Sequence, residues 1–240
     1  MNGMILHCGS AQVTRRMVED VPVPQPTDTW YPIPYGDTIT FLHDQAKRHL
    51  QREVVRESYG LNKGGNQMFA LLTLESCDDS GLAIGMRASY DKSLARGCAV
   101  GQQVFVCDNL CFSGDAFKVI RKHTKNGARD FRQMVTAQIQ SALQHEAKMH
   151  QDIARMKATP CHEQRGYAVL GVAVGQELLT PTQATVAYGD WRKPRHEEFA
   201  ARTVWSLYNA VTEGLKKGAP ALIMDRHAAA HDFFMERLAA

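Results

Sequence analysis

The stretch ARDFRQMVTAQIQSALQHEAKMHQDIARMK, residues 128–157, is the most regular part of the sequence. Apolar side chains recur in it at alternating steps of four and three residues, which is the a and d spacing of a heptad repeat. The seam positions are Val135, Ile139, Ala142, Glu146, Met149, Ile153 and Met156. The spacing predicts one long helix with a single apolar stripe, which Glu146 alone interrupts.

A stripe of this kind can be buried in two ways, and the sequence leaves both open. In the first, the helix covers one face of a sheet in the same chain. In the second, the seam pairs with a second copy, so that the 128–157 helix makes a homo-oligomer.

The residues before the long helix have the pattern of strands. Turn signals rich in glycine, asparagine, aspartate and serine separate short apolar runs between residues 52 and 124. The expected strands are residues 54–59, 67–75, 82–90, 102–107 and 116–123. Strands joined by short turns pair antiparallel. We therefore predict an α+β fold: a central, mostly antiparallel sheet of about five strands, the long helix packed on it, and a helical C-terminal region.

The two ends of the chain differ from this centre. Five of the nine prolines lie in residues 22–34, and proline excludes a helix there, so residues 1–36 are predicted to form a proline-rich arm. Residues 37–160 make the α+β core with its long helix. Residues 161–240 are helical, and Thr180-Pro181 is a typical helix start. We expect the three parts to form one compact unit.

Composition limits the classes of protein. The chain has 240 residues, of which 44% are hydrophobic and 22% charged, as in a globular domain. Its apolar runs fall far short of the about 20 residues of a membrane span, and the first residues lack the pattern of a signal peptide. We therefore expect a cytoplasmic protein with no membrane partner. Cys107 and Cys111 form a single C-x₃-C pair, which is too little for zinc, and we expect no metal or cofactor.

No common catalytic motif is present. The glycine-rich nucleotide loops and the G-x-S-x-G elbow are missing. His145 and His150 are five residues apart, whereas a zinc-binding helix needs a spacing of four. One polar set could still form an enzyme site if its members converge. Its members are Arg87, Asp91, Ser93, Asp108 and Asn109.

Positive charge is concentrated before and within the start of the long helix. Residues 118–132 contain six lysines and arginines against Asp130, an excess of five on a chain whose net charge is +3. A second basic group lies near Tyr90. Such clusters can follow a phosphate backbone, and neighbouring aromatic residues can stack on bases. The predicted nucleic-acid-binding residues are Arg87, Lys92, Arg96, Arg121, Lys122, Lys125, Arg129 and Arg132.

Several sequence elements, in their order, resemble a known family. They are His7-Cys8-Gly9, the Trp-Tyr-Pro-Ile-Pro element at 30–34, VFVCDNLCFSG at 104–114 and Trp205-Ser206-Leu207-Tyr208-Asn209-Ala210. Together with residues 68–74, 85–96, 121–124 and 191–216 they resemble the phage- and plasmid-associated domain of unknown function 932. The resemblance implies histidine in many relatives at the position of Tyr35, so this chain departs from the family pattern there. The resemblance implies a mobile-element origin and a bacterial or phage setting, and it supplies no reaction or catalytic residue.

Three functions follow as hypotheses. The first is a non-enzymatic DNA-metabolism protein of phage or plasmid type that binds single-stranded nucleic acid, as an annealing or recombination accessory. Its expected layout is similar to that of phage single-strand annealing proteins, an analogy of architecture alone. The second is an anti-defence protein that sequesters a host protein or an anionic small molecule. The third is an enzyme with a polar site around Arg87, Asp91 and Asp108.

Overall fold

The computed structural model describes residues 10–76, 80–104, 109–111, 118–218 and 222–239. Within these ranges the chain forms one antiparallel sheet and seven helices, which confirms the predicted α+β class. The strands are β1 (Ala11–Val13), β2 (Val54–Asn62), β3 (Gln67–Leu74), β4 (Ser80–Ser89), β5 (Arg96–Val104), β6 (Asn109–Cys111) and β7 (Lys118–Arg121). The helices are α1 (Arg15–Glu19), α2 (Tyr35–Gln45), α3 (Gly127–Ala158), α4 (Glu163–Gly175), α5 (Pro181–Arg192), α6 (Val204–Leu215) and α7 (Ile223–Ala239).

The sheet follows the order of the chain. Strands β1 to β5 are consecutive neighbours, and the other edge of β5 is shared by β6 at one end and β7 at the other. The five predicted strands correspond to β2, β3, β4, β5 and β7. The prediction missed the two strands of three residues, β1 and β6, and it placed the start of β5 at residue 102. Strand β5 begins at Arg96, because this arginine and the glycines after it pair with β4 and β7.

The hairpin between β2 and β3 closes at the predicted turn. Lys63, Gly64 and Gly65 all have positive φ, at 50°, 65° and 93°. Glycine adopts these angles without the steric penalty that a Cβ brings, so the paired glycines favour a tight reversal. The register that results puts Asn62 opposite Gln67, and it fixes the position of β3. All eight residues of β3 are buried.

Helix α3 belongs to two hydrophobic cores at once. Its first half packs against the sheet and α2 through Phe131, Val135, Ile139 and Ala142. Its second half packs among α4 to α7 through residues further along the same face, which are Met149, Ile153 and Met156. The predicted seam is therefore buried within the chain. A homo-oligomer through the 128–157 helix stays a prediction, and it would have to use the face that exposes Met134 and Leu143.

Glu146 lies where the two cores meet. Its carboxylate accepts two hydrogen bonds from the Arg52 guanidinium, at 2.7 and 2.9 Å. The Glu146 side chain is 9% exposed and that of Arg52 is 28% exposed. A partly buried carboxylate needs such a partner, because removal from water destabilises an unpaired charge. The one polar residue of the seam is thus neutralised by the segment just before β2.

The second core is organised around α6. All twelve residues of this helix are buried, including Asn209 and Glu213. It packs against α3, α5 and α7. Of the described helices, none combines the length and the hydropathy that a membrane span requires.

Replacing Glu146 tests the junction between the cores. We expect Glu146→Ala to lower the free energy of unfolding by about 1–3 kcal/mol, because Arg52 loses its carboxylate while remaining partly buried. Urea denaturation measures the change. The exposed pair between Lys47 and Glu53, 2.8 Å apart, is the control, and Lys47→Ala should leave the midpoint unchanged.

A double variant, Arg52→Leu with Glu146→Leu, should recover much of the loss, since an apolar pair leaves no buried charge uncompensated. Equal midpoints for Glu146→Ala and the parent protein would refute the role of this ion pair.

Candidate nucleic-acid interface

The structure divides the predicted basic residues by exposure. The exposed ones are Lys92, Lys122, Lys125, Arg129 and Arg132. Arg121 is half-buried, while Arg87 and Arg96 are only 6% and 1% exposed. A phosphate in solution can therefore reach the first five side chains directly. It cannot reach Arg87 or Arg96 in this arrangement.

Three of the exposed cations lie in the turn between β7 and α3 and in the first turn of α3. The turn folds back on the helix so closely that a Cβ at Gly127 would lie 2.4 Å from the backbone oxygen of Lys122. Only glycine fits there. The Gly127 amide donates to the Thr124 carbonyl over 3.0 Å, which closes the turn. Lys122, Lys125 and Arg129 thus surround the N-terminus of a 32-residue helix, whose backbone dipole adds positive potential.

The proline-rich arm passes beside this turn. The Tyr31 amide donates to the His123 carbonyl over 2.7 Å, and the rings of Trp30 and His123 are 5.9 Å apart. The Trp30 ring also contacts Lys92, which lies in the loop between β4 and β5. Nζ of Lys92 is 5.3 Å from the centroid of the ring. The arm therefore joins the Lys92 loop to the basic turn that contains Lys122. Both groups of cations belong to one continuous neighbourhood.

Tyr35 anchors the end of the arm. Its ring stacks on Tyr90 with 3.9 Å between centroids. The Tyr90 hydroxyl donates to the Ile33 carbonyl over 3.2 Å and accepts from the Tyr35 amide over 3.1 Å. The Tyr35 hydroxyl donates to the Asn66 carbonyl over 3.1 Å. The tyrosine at this position therefore fastens the arm to the β2–β3 hairpin and to the end of β4.

Arg96 lies beneath the basic surface. Its Nη2 is 3.1 Å from Nδ1 of His123, and its guanidinium carbon is 5.3 Å from the centroid of Phe131. Burial, with a contribution from the Arg96 charge, lowers the pKa of His123 to about 4, so the imidazole is neutral and Nδ1 accepts. Burial lowers the pKa of Arg96 to about 10, and the nearby charge of Arg132 acts in the same direction.

Arg87 lies on the opposite face of the sheet from Arg96. It is paired with Gly97 across β4 and β5, and a Cβ on Gly97 would be 3.2 Å from Nε of Arg87. The half-buried Arg121 donates from Nη1 to the Ile120 carbonyl over 2.8 Å, and its Nη2 contacts the sulfur of Met134. These contacts hold Arg87 and Arg121 away from the exposed group.

Among the described residues, few carboxylates lie close to the exposed cations. Arg129 is 3.6 Å from Asp130, a pair exposed on both sides that contributes little. Asp91 is paired with Lys63 at 3.4 Å and accepts from the Ser93 amide at 3.0 Å. In the described ranges, the ion pair of Asp91 is thus with Lys63 and not with Arg87.

Of the remaining members of the polar set proposed for an enzyme, Asn109 begins β6 and Asp108 falls outside the described residues. Cys107 and the aromatic residues next to the first basic group, Phe112 and Phe117, also fall outside them. Where side chains are described, they include no group of three or more histidine, cysteine, aspartate or glutamate residues able to hold a metal.

The structure adds three aromatic residues that charge alone did not reveal. Trp30 and His123 link the two basic groups, and Phe41 on α2 lies 5.6 Å from the guanidinium of Arg132. The only sequence signal was the presence of apolar rings in the proline-rich arm. Their position depends on long-range pairing of β5 with β7, which sequence spacing does not specify.

The buried imidazole predicts acid sensitivity. The pKa of His123 is about 4 when folded, against about 6.5 for an unfolded histidine. Between these values the unfolded chain binds a proton that the folded chain does not. The contribution of the neutral His123 to the free energy of unfolding is therefore fully present above pH 6.5, and it is lost as the pH falls toward 4. His123→Asn, which keeps an acceptor for Arg96, should reduce this loss in urea melts at pH 7 and 4.5.

The exposed His162 gives the control, since His162→Asn should leave the pH dependence unchanged. The lowered pKa of His231 acts in every variant and leaves a residual dependence. An identical loss of stability in His123→Asn and the parent protein would contradict the assignment.

Comparison with known proteins gives a family and no activity. The family model described as domain of unknown function (DUF932) matches residues 25–236, a range that begins within the proline-rich arm and includes strands β2 to β7, α3 and nearly all of the helical core. No significant match to a curated protein or to a solved structure was found. Because the matched region covers most of the chain, this protein belongs to the DUF932 family.

Proposed function

We propose that this chain binds single-stranded nucleic acid without catalysis, as a phage- or plasmid-type accessory of DNA annealing or recombination in the bacterial cytoplasm. The supporting observation is the group of five exposed cations around the start of α3 and the Lys92 loop, which we call the basic surface. Its members are Lys92, Lys122, Lys125, Arg129 and Arg132. In the part of the chain that is described, their carboxylate contact is the weak exposed pair of Arg129 with Asp130, 3.6 Å apart.

Electrostatics favours a polyanion at this place. Several exposed cations on one short stretch, next to the positive end of a long helix, attract phosphates and release their counterions. The chain as a whole carries a net charge of only +3, so the attraction is local to the basic surface. A local positive patch on a nearly neutral protein is suited to a bound strand.

Aromatic residues favour a single strand over a duplex. Tyr31 and Phe41 are half-buried beside the cations, and Arg132 lies over the Phe41 ring. Unpaired bases can stack on such rings, whereas the bases of a duplex are already stacked on one another. Binding of this kind tolerates many sequences, because every base has an aromatic face.

Removal of the charges at the start of α3 tests the proposal. Lys122→Gln, Lys125→Gln and Arg129→Gln together should weaken binding of a labelled oligothymidylate strongly. The plot of log affinity against log salt should become less steep by about two, since each lost phosphate contact removes about 0.7. Fluorescence anisotropy across ionic strengths measures both quantities.

The matched control removes three exposed cations elsewhere, with Lys148→Gln, Arg165→Gln and Lys193→Gln. It should keep most of the affinity and the original slope. Equal weakening in both triple variants would indicate only a general charge effect. Affinity that does not depend on salt or on oligonucleotide length would contradict the proposal and favour capture of a host protein or an anionic small molecule.

A further inference from the structure

Arg96 is a buried cation that has no carboxylate partner among the described residues. It is 1% exposed, and within the described ranges the one polar side chain that contacts its guanidinium is the neutral imidazole of His123. In the part of the chain that is described, Nη1 has no acceptor within hydrogen-bonding distance. Buried charges are ordinarily paired, because an uncompensated one destabilises the fold. The position of Arg96 therefore calls for an anion.

Two further unfavourable features lie next to it. Trp30 contacts the same His123 ring, and its Nε1 is buried with no acceptor among the described residues. Lys92, which lies over the Trp30 ring, has a φ of 63°, a left-handed conformation that few residues other than glycine adopt. Strain and unsatisfied polar groups that gather at one point are typical of binding sites.

We propose that Arg96 is the base of a phosphate-binding pocket that Trp30 closes, and that a phosphate of an incoming strand pairs with Arg96 when the arm moves away. The inference rests on the proposed function, because the pocket lies under the basic surface. It names a phosphate held next to a stacked base as the group that the site recognises.

The indole of Trp30 occupies the position that a base would take. It lies between Nζ of Lys92, at 5.3 Å, and the imidazole of His123, at 5.9 Å. A nucleotide offers a ring for the same contacts, and its phosphate supplies the acceptor that Arg96 lacks. A phosphate would also relieve the repulsion between Arg96 and Arg132, which lowers the pKa of Arg96 in the closed form.

The arm can leave without disruption of the sheet. Residues 22–34 contribute no strand, and the Trp30 backbone bonds Thr27 of the same arm, so the hold of Trp30 on the rest of the chain is the burial of its ring at the edge of the first core. Beside it, the Tyr31 amide bonds the His123 carbonyl, and the Ile33 carbonyl bonds Tyr90. Trp30 can therefore be displaced while Tyr35 still anchors the end of the arm to Asn66.

Truncation of the indole tests the closed state. If the arm is closed nine-tenths of the time, Trp30→Ala should bind a labelled oligothymidylate about tenfold more tightly, because a closed site lowers apparent affinity by its open fraction. The gain should disappear in Trp30→Ala with Arg96→Met. Tyr167→Ala is the control, since it removes a half-buried ring that packs on the second core, away from the arm, and it should leave the affinity unchanged.

A second measurement does not depend on the strand. Inorganic phosphate should raise the melting temperature of Trp30→Ala more than that of the parent, and Arg96→Met should abolish the difference. If Trp30→Ala does not fold, Trp30→Leu replaces it, and Arg96→Lys likewise replaces an unfolded Arg96→Met, with the gain reduced instead of abolished.

The outcomes separate the two proposals. If Trp30→Ala binds no tighter while the triple variant at Lys122, Lys125 and Arg129 still loses affinity, the pocket is refuted and the basic surface stands. If the parent binds no strand but phosphate stabilises Trp30→Ala through Arg96, the pocket stands and the strand-binding function is refuted. No response to either ligand overturns both.

Discussion

The structure depends on one helix serving two cores with a single face. The first half of the apolar stripe of α3 packs on the sheet, and its second half packs on α4 to α7. Between them Glu146 is matched by Arg52, so the stripe continues without an unpaired charge. Because α3 is fixed along its whole length, its N-terminus has a defined position at the end of β7, where the cations gather.

The fixed position of α3 also explains why two polar side chains, Arg96 and His123, are buried beneath the basic surface. Strand β5 pairs with β7, which sets Arg96 opposite Arg121 and brings His123 next to it. Phe131 of α3 and Trp30 of the arm then enclose the guanidinium and the imidazole. Within the described ranges the buried Arg96 has no carboxylate partner, whereas the buried Lys216 is paired with Glu213 at 2.7 Å. This contrast among the described residues is the observation that supports the proposed phosphate pocket.

Local patterns predicted what depends on nearby residues. Heptad spacing gave α3 and the residues of its buried face, and Thr180-Pro181 began α5 with the expected cap. The sequence could not show that Arg87 and Arg96 are interior, because burial depends on which strands pair and in what register. It also placed the start of β5 at residue 102, although the strand begins at Arg96. In the candidate interface, the sequence predicted the cations at the start of α3. It did not predict that the rings of Trp30 and His123 connect them to Lys92.

Hydrogen–deuterium exchange of the whole chain, with and without an oligothymidylate, tests the central claim most directly, since it reports where a strand lies without any substitution. The account predicts slower exchange in residues 90–95 and 122–132, with faster exchange in the arm around Trp30. Protection confined to α4–α7, or no change at the start of α3 under conditions of saturated binding, would contradict it.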